Sequence, residues 1–379
     1  MKKIIVVGNR MDCGGTEIAM LALLKQLVLR DYDITVALKE KSGVLLDQIP
    51  TSVNIIALDC MSSAKELLHK KRGIDKVMYF GKRCLDKING KFHLYDDLLA
   101  ECTELGGSYD LLIDFFGYGH FLTAFSAKMI TAHKKVLWFH DDDLSWMFKI
   151  ERYLQYYDKL FGVSEAVVAA ITNYDIALAE KTDVFYNVID IEEIRQKSEA
   201  DFEPIYDSEK LALLTVGRIH EQKGIDILIK TAKILKERQL AFHWYVIGGG
   251  ETEYYLQMAK QLGVDNCVIF VGQKTNPYPY IKTCDLYIQP SKHEGYGLTI
   301  LEARVLHKVI IATRLPCIKE QITDGVNGYL VELNPTAFAS KIIELANSKY
   351  TNNYVMKNLI NETIDFTNEF QKLESLFDN

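Results

Sequence analysis

The 379-residue chain lacks the features that mark several classes of protein. Its seven cysteines are odd in number and include no Cys-x-x-Cys pair, which argues against a disulfide framework and against a zinc ribbon. We therefore expect a reduced, cytoplasmic protein. No stretch approaches the roughly 20 apolar residues that a membrane span needs. The apolar run in the opening MKKIIVVGNRM is too short for a signal peptide and predicts a first strand.

The chain also carries fewer positively than negatively charged residues. The chain has 44 Lys and Arg against 51 Asp and Glu, a net charge of −7, which argues against a nucleic-acid partner. The hydrophobic content of 48% and the charged content of 25% are those of an ordinary globular protein. This length exceeds what one hydrophobic core usually serves, so we expect two domains.

The order of apolar patterns predicts two α/β domains in tandem. The chain opens with a strand (KIIVVG), a glycine-containing loop, a helical pattern and a second strand (DITVAL). The same alternation restarts at residue 211, after the polar stretch 197–210, which is the predicted linker. Such alternation predicts parallel sheets with helices on both faces. We place the domains at residues 1–200 and 201–360.

Ligands of doubly wound sheets bind beyond the carboxyl ends of the strands. With two such domains, the cleft between them is the expected site, and the loops that follow strands hold the candidate residues. The first of these loops carries Gly14, Gly15 and Thr16 and leads into a helix. Glycines there let the backbone approach a phosphate at the helix N-terminus. The loop is not Gly-x-Gly-x-x-Gly, and a tight strand–helix turn is the alternative.

The second loop, VGRIHEQKGID, places Arg218 and Lys223 between a strand and a helix. Two cations at a strand end can clamp a diphosphate, and arginine offers paired donors. A solvated surface loop is the alternative interpretation.

The third loop, WFHDDDLSW, begins with His140 at the end of an apolar strand. A histidine in such a place is more often structural than catalytic. The run Asp141–Asp143 suggests either a divalent cation that holds a nucleotide diphosphate or solvated carboxylates that cap the next helix.

The fourth loop, in SKHEGYGLTILEA, has two glutamates eight positions apart. Glu294 falls in the turn after a strand, and Glu302 falls about one turn inside the following helix. The first amides of that helix are free to meet an anion between the two carboxylates. This spacing suits an activated sugar, which has hydroxyls at both ends and a diphosphate in the middle. A capped helix with one buried glutamate is the alternative.

These segments resemble the motifs of the retaining glycosyltransferases of family 4, which have the GT-B fold. EGYGLTILEA resembles the E-x7-E motif, and VGRIHEQKGID resembles the G-R-x-x-x-x-K-G segment. GGTE, NVID and TDGVNGYLV resemble three further motifs of the family. All five segments follow one another along the chain in the family's order. The resemblance implies two Rossmann-like domains that face a central cleft. It also implies a C-terminal helix, at residues 361–379, that crosses back to the N-terminal domain.

The resemblance also implies roles for individual residues. Arg218 and Lys223 would neutralise the departing nucleoside diphosphate, Glu294 would bind the donor sugar, and Glu302 would bind the ribose. His140 would face the donor sugar and the acceptor. The residues implied in binding the donor are Gly14, Gly15, Thr16, Gly217, Gly295, Tyr296, Gly297, Leu298, Thr299 and Glu302. Many members have proline where this chain has Thr299, and we expect little effect, since proline there only favours a helix start.

The activity implied is transfer of a sugar, with retention, from a nucleoside-diphosphate sugar to a glycan, glycolipid or lipid-linked saccharide. UDP is the expected nucleotide, and cell-surface polysaccharide or glycoconjugate synthesis is the expected setting. The fold needs no metal and no cofactor besides the donor, so the aspartate run is expected to cap a helix. The alternatives are a non-catalytic sugar-binding subunit of the same shape, a nucleotide-sugar epimerase and a phosphorylase.

Residues 65–91 form a basic segment in this acidic chain. Nine Lys and Arg stand against three acids, a charge of +6, and apolar residues lie between them. Such a segment suits the anionic inner face of a membrane, so a peripheral location is a second expectation. A solvated pair of helices is the alternative.

Overall fold

The computed structural model describes residues 1–60, 63–88 and 92–377. It divides the chain into two compact units, one made of Met1–Ile189 with Phe366–Asn379 and the other of Asp190–Asp365. Each unit is a sheet with helices, as the alternation of patterns predicts. No helix in the described part of the chain is both long enough and apolar enough to cross a bilayer.

The strands follow the apolar runs of the sequence, because a strand covered on both faces buries consecutive apolar residues. Those of the first unit are β1 (Lys3–Gly8), β2 (Asp33–Leu38), β3 (Asn54–Ala57), β4 (Leu105–Asp114), β5 (Ile130–Phe139), β6 (Lys159–Gly162) and β7 (Thr182–Val184). Those of the second unit are β8 (Leu211–Val216), β9 (Phe242–Ile247), β10 (Val268–Gly272), β11 (Leu286–Gln289), β12 (Ile310–Thr313) and β13 (Tyr329–Val331).

Helices connect the strands. Those up to the end of the first unit's sheet are α1 (Gly15–Val28), α2 (Ala64–Lys70), α3 (Gly73–Ile88), α4 (Leu94–Leu99), α5 (Phe121–Met129) and α6 (Glu165–Tyr174). The later ones are α7 (Ile191–Ser198), α8 (Ile225–Glu237), α9 (Thr252–Gln261), α10 (Tyr278–Thr283), α11 (Leu298–Val305), α12 (Pro316–Lys319), α13 (Pro335–Ala346), α14 (Lys349–Asn361) and α15 (Thr367–Glu374). Short 3-10 turns occupy Leu46–Gln48, Met147–Lys149, Glu151–Tyr156, Ile176–Lys181, Glu221–Lys223 and Ser375–Phe377.

Both sheets are parallel and doubly wound, which confirms the predicted fold class. The first has the order β3-β2-β1-β4-β5-β6-β7 and the second the order β10-β9-β8-β11-β12-β13. In each, the chain first builds outward on one side of the opening strand and then on the other. The strand order therefore reverses between β1 and β4 and between β8 and β11, and these switch points are where such sheets leave a crevice for a ligand.

The boundary between the units lies earlier than residue 200. Helix α7 belongs to the second unit, where it packs against α10 and α11. The Asn276 side chain also donates a hydrogen bond to the carbonyl of Lys197, at 2.8 Å. The first part of the polar stretch 197–210 is thus the end of a packed helix rather than a linker.

The last helix returns to the first unit. The guanidinium of Arg30 lies over the ring of Phe370, 3.7 Å from its centroid, and Phe370 meets Phe185 edge to face. The Lys372 ammonium donates to the carbonyl of Val184 at 2.6 Å. These contacts tie α15 to α1 and to the end of β7, which lies at the edge of the first sheet.

Gly224 marks the tightest approach at the switch point of the second sheet. Its φ of +66° lies in the left-handed region, and a Cβ at this position would sit 1.8 Å from the carbonyl oxygen of Pro290. Only glycine allows the loop after β8 to meet the loop after β11 so closely. Gly263 has almost the same φ, +67°, with open space around its Cα.

Gly224→Ala is expected to destabilise the second unit by about 2–4 kcal/mol more than Gly263→Ala. Both alanines would pay the left-handed backbone strain, and only the one at 224 would also collide with backbone. Urea unfolding of the two variants and of the wild type measures the difference. Equal losses in the two variants would show that the loops do not hold this approach in solution.

Candidate active site

Two loops that lie far apart in sequence are bound together in the second unit. The loop after β8 spans residues 217–224, and the loop after β11 spans residues 290–297. The backbone N–H of Lys292 donates to the carbonyl of Gln222 at 2.8 Å. Since β8 and β11 are neighbours at the switch point, the side chains of both loops project beyond the same edge of the sheet.

Glu294 is held by four hydrogen bonds although it is 8% exposed. Its Oε1 accepts from the Lys223 ammonium at 2.6 Å, from the Ser291 hydroxyl at 2.7 Å and from the Gln289 amide at 3.2 Å. Within the described part of the chain, its Oε2 accepts from Lys223 alone, at 2.8 Å. The ion pair offsets the cost of burying the carboxylate, and Oε2 keeps capacity for one more donor.

Arg218 differs from Lys223 in having no counter-charge. Its side chain is exposed, and its guanidinium has no hydrogen-bond or ion-pair partner among the residues that the structure describes. Lys223 packs its alkyl chain near Gly217, where a Cβ would lie 3.6 Å from the lysine Cε. The loop therefore presents one cation that is paired with a carboxylate and, five residues earlier, one cation without a counter-charge among the described residues.

The N-terminus of α11 is open. Gly297 precedes the helix with φ +90°, and no side chain caps the first turn. The amides of Leu298 and Thr299 are the first of the helix, and such N–H groups point along the helix axis toward its N-terminal end. Gly295 and Tyr296 form the turn itself, and the Gln321 amide donates to the Tyr296 carbonyl from behind. This hydrogen bond helps to hold the turn in place.

Glu302 lies deeper in the same helix and has a different environment from Glu294. It is 4% exposed, and its Oε1 accepts a hydrogen bond from the Tyr278 hydroxyl at 3.1 Å. Burial raises the pKa of Glu302 to about 7, and the tyrosine only partly opposes that shift. Near neutral pH this carboxyl group therefore exchanges between the protonated and ionised forms.

The candidate residues of the first unit meet at the other switch point. The hydroxyl of Thr16, in the first turn of α1, lies 2.8 Å from the hydroxyl of Tyr118, in the loop after β4. The Tyr118 ring stacks on His140, which follows β5, with 5.7 Å between the centroids. The loops after three neighbouring strands, β1, β4 and β5, are thereby linked. Gly14 precedes α1 without a capping side chain, and Gly15 is its first residue.

His140 is buried and neutral. Its Nε2 lies 2.7 Å from the carbonyl oxygen of Phe115. A carbonyl only accepts, so Nε2 carries the proton and Nδ1 is left as an acceptor. Burial lowers the pKa of His140 to about 4, against the opposing effects of that hydrogen bond and of Asp141. The imidazole is therefore uncharged at physiological pH.

The aspartate run forms local turns rather than the expected helix cap, since no side chain of the described residues caps the 3-10 turn Met147–Lys149 that follows it. Asp141 accepts from the backbone N–H of Asp143 at 2.9 Å, and Asp143 accepts from the backbone N–H of Ser145 at 3.0 Å. Both bonds join a carboxylate to the backbone two residues ahead, the local turn that aspartate favours.

Several partners were not identified from sequence. Ser291 and Gln289 hold Glu294, Tyr278 bonds Glu302, and Tyr118 links Thr16 with His140. Gln289 carried a signal, since it is a polar residue at the end of an otherwise apolar strand. Tyr278 and Tyr118 carried none, because each meets its partner through tertiary contacts.

The burial of Glu302 predicts how stability depends on pH. The folded state holds the proton of Glu302 up to about pH 7, whereas the unfolded chain loses it near the ordinary value of 4.5. The unfolding free energy therefore falls as the pH rises from 4.5 to 7. Glu302→Gln cannot ionise and is expected to gain on the order of 3 kcal/mol relative to the wild type across that interval.

Urea unfolding at several pH values measures this difference, with Glu237→Gln as the control because Glu237 is on the solvent side of α8. A difference between Glu302→Gln and the wild type that does not change with pH would contradict the burial penalty.

Comparison with known proteins supplies independent findings. Residues 196–362 match the family model described as "Glycosyl transferases group 1". The amylovoran biosynthesis glycosyltransferase AmsK of Erwinia amylovora is 27% identical over 255 residues, which cover 62% of this chain and 61% of AmsK. The O-antigen biosynthesis glycosyltransferase WclY of Escherichia coli is 25% identical over 169 residues, covering 44% of this chain and 46% of WclY. The chain spans about half of the length of these relatives.

Solved structures extend the likeness to the whole fold. The Anabaena protein HepE, crystallised with UDP and glucose, superposes with a TM-score of 0.70 over 100% of both chains at 18% identity. At that identity the likeness concerns the fold alone. Most of the second unit therefore carries the sequence pattern of the group 1 glycosyl transferases, and the chain as a whole has the GT-B fold.

Proposed function

We propose that the protein is a retaining glycosyltransferase that moves a sugar from a nucleoside-diphosphate sugar, a UDP-sugar by preference, to a saccharide or lipid-linked saccharide. The observation that carries the proposal is the switch point of the second unit. There Lys223 is paired with Glu294 while Arg218, in the same loop, has no counter-charge among the described residues. The helix that follows Glu294 adds an uncapped N-terminus.

The open charge suits a diphosphate. Arg218 supplies paired donors, and the first amides of α11, at Leu298 and Thr299, supply the partial positive charge of a helix N-terminus. Lys223 completes the cationic set. When the bond to the sugar breaks, negative charge grows on the departing diphosphate. Donors already fixed in place stabilise that charge without reorganising, which is where such a site lowers the barrier.

The two glutamates suit the two ends of the donor. Oε2 of Glu294 has room for one more donor, and a sugar hydroxyl meets that requirement. Glu302 is buried, and the Tyr278 hydroxyl is its one hydrogen-bond donor among the described residues, so ribose hydroxyls would satisfy its remaining oxygen. A sugar or ribose hydroxyl would bond more strongly to an ionised carboxylate than to a neutral one.

The first unit is proposed to bind the acceptor. Gly14, Gly15 and Thr16 place the N-terminus of α1 beside Tyr118, whose ring stacks on His140. A neutral imidazole with a free acceptor nitrogen can bind a hydroxyl without adding charge. Retention of configuration and independence from metal ions are proposed from the motif resemblance alone.

The relatives support the setting. AmsK and WclY are named for amylovoran and O-antigen biosynthesis, and HepE was crystallised with UDP. We therefore propose synthesis of a cell-surface polysaccharide or glycoconjugate, with UDP as the nucleotide.

Incubation of the purified protein with single nucleotide sugars, with and without EDTA, tests the proposal. Release of nucleotide and a rise in melting temperature with one donor, unchanged by EDTA, is the expected result. A requirement for a divalent cation would overturn metal independence. No response to any donor would favour a non-catalytic subunit. Release without an acceptor of an epimerised donor, or of a sugar phosphate, would favour an epimerase or a phosphorylase.

Arg218→Ala and Lys223→Ala are each expected to lower turnover by about 100-fold or more, because each removes a charge that meets the departing diphosphate. Arg238→Ala is the matched control, since this exposed arginine follows α8 at the opposite end from Lys223. Rates near those of the wild type in both site variants would remove the assigned roles.

Binding of UDP alone separates two roles of Lys223. If it only neutralises Glu294, the double variant Lys223→Met/Glu294→Gln buries no unpaired charge and keeps its affinity for UDP. If it contacts the diphosphate, the double variant loses affinity by about tenfold or more, whereas Glu294→Gln alone retains it. Isothermal titration calorimetry measures each affinity, and we expect the second outcome.

A further inference from the structure

Helix α3 turns its apolar side to solvent. The residues of this stripe are 60% to 79% exposed, at Ile74, Val77, Met78, Leu85 and Ile88. With 100° between successive residues, they fall within an arc of about 100° on one side of the helix. A helix on the surface of a globular protein normally shows the opposite arrangement, with its apolar stripe against the core.

The side of α3 that faces the protein is polar. Tyr79 and Asp86 are buried, and Arg83 is half-buried. Asp86 accepts from the His93 ring at 3.1 Å, and Lys82 pairs with Asp97 of α4 at 2.5 Å. Polar contacts thus fix which side of the helix points inward. These contacts leave the apolar stripe on the side of α3 that faces solvent.

The surroundings of the stripe are cationic. The described part of the basic segment, residues 65–88, holds eight Lys and Arg and three acids, a net +5 in a chain of net −7. Lys76 and Lys87 are also exposed on α3, on the side that holds the exposed Phe80 and about 80–100° around the helix from the edge of the stripe. Two other apolar residues of the segment, Leu67 and Tyr79, are buried, and residues 89–91 lie outside the described part of the chain.

The positive charge of the segment and the exposed apolar stripe together indicate what binds this surface. A second copy of this surface would bring two strongly positive segments together, and like charges oppose such a contact. An anionic bilayer can bind both the apolar stripe and the positive charges. Its acyl boundary takes the apolar side chains, and its headgroups attract the flanking lysines, whose alkyl stems reach outward.

We infer that α3 lies in the headgroup region of an anionic bilayer, with the stripe Ile74, Val77, Met78, Leu85 and Ile88 inserted and the lysines of α2 and α3 on the headgroups. This places the first unit on a membrane surface. It does not depend on the proposed transfer reaction, because the stripe lies outside the switch-point residues of either unit.

Vesicle flotation of the full chain tests the inference. Vesicles of phosphatidylcholine with 30% phosphatidylglycerol are compared with phosphatidylcholine alone, at low and high salt. Binding is expected to the anionic vesicles only, and raising the salt is expected to weaken it by about tenfold. Equal binding to both vesicle types, or none to either, would overturn the inference.

Two matched variants locate the contact. Val77→Ser/Leu85→Ser is expected to lower the partition coefficient by about tenfold or more, because two inserted side chains lose their apolar area. Leu29→Ser/Val44→Ser is the control, since Leu29 and Val44 are equally exposed in the same unit but outside α3. Unchanged partitioning of the first variant would refute the inference.

Sedimentation distinguishes the rival occupant. If a second copy covers the stripe, the wild type dimerises with rising concentration in the absence of lipid and Val77→Ser/Leu85→Ser stays monomeric. That result would also overturn the inference. The melting temperatures of both variants are expected to equal that of the wild type, because all four side chains point into water.

Discussion

The candidate donor site depends on the close contact of two loops at the switch point of the second sheet. Gly224 allows the loop after β8 to reach the backbone at Pro290, and the Lys292 amide closes the contact. Without it, Lys223 would not reach Glu294. The ion pair in turn lets a carboxylate stay buried at the strand end. The cost of burying either charge alone, several kcal/mol, makes the two loops act as one unit.

Glu294 and Glu302, the two glutamates of the E-x7-E motif, have different electrostatic environments although they are the same residue type. Glu294 is buried with a lysine, a serine and a glutamine around it, so its charge is compensated. Glu302 is buried with a single tyrosine, and its pKa is raised to about 7. A ligand that donates hydrogen bonds to Glu302 would favour its ionised form. The site therefore holds one carboxylate fixed in advance and one that a ligand completes.

The first unit combines two surfaces with opposite character. At its switch point, Thr16, Tyr118 and a neutral His140 form an uncharged, partly aromatic surface. On α3, Asp86 contacts His93 and Lys82 contacts Asp97, while the apolar residues of the helix face solvent in a lysine-rich segment. Thr16, Tyr118 and His140 carry no charge, whereas α3 lies in a strongly positive segment. A transferase that acts on lipid-linked saccharides would need both, one to hold a polar acceptor and one to stay at the membrane where that acceptor is found.

The amino-acid sequence by itself determined the strands, the doubly wound fold and the loops that carry Arg218, Lys223, Glu294 and Glu302. Apolar runs and strand–helix alternation are local signals, and parallel strands bring their carboxyl ends together without further information. Only the tertiary structure decided which cation is paired, that Tyr118 and Tyr278 belong to the candidate sites, that α7 joins the second unit, and which face of α3 meets water. Each of these depends on contacts between residues distant in sequence, and the balance of burial and charge at those contacts leaves no local pattern.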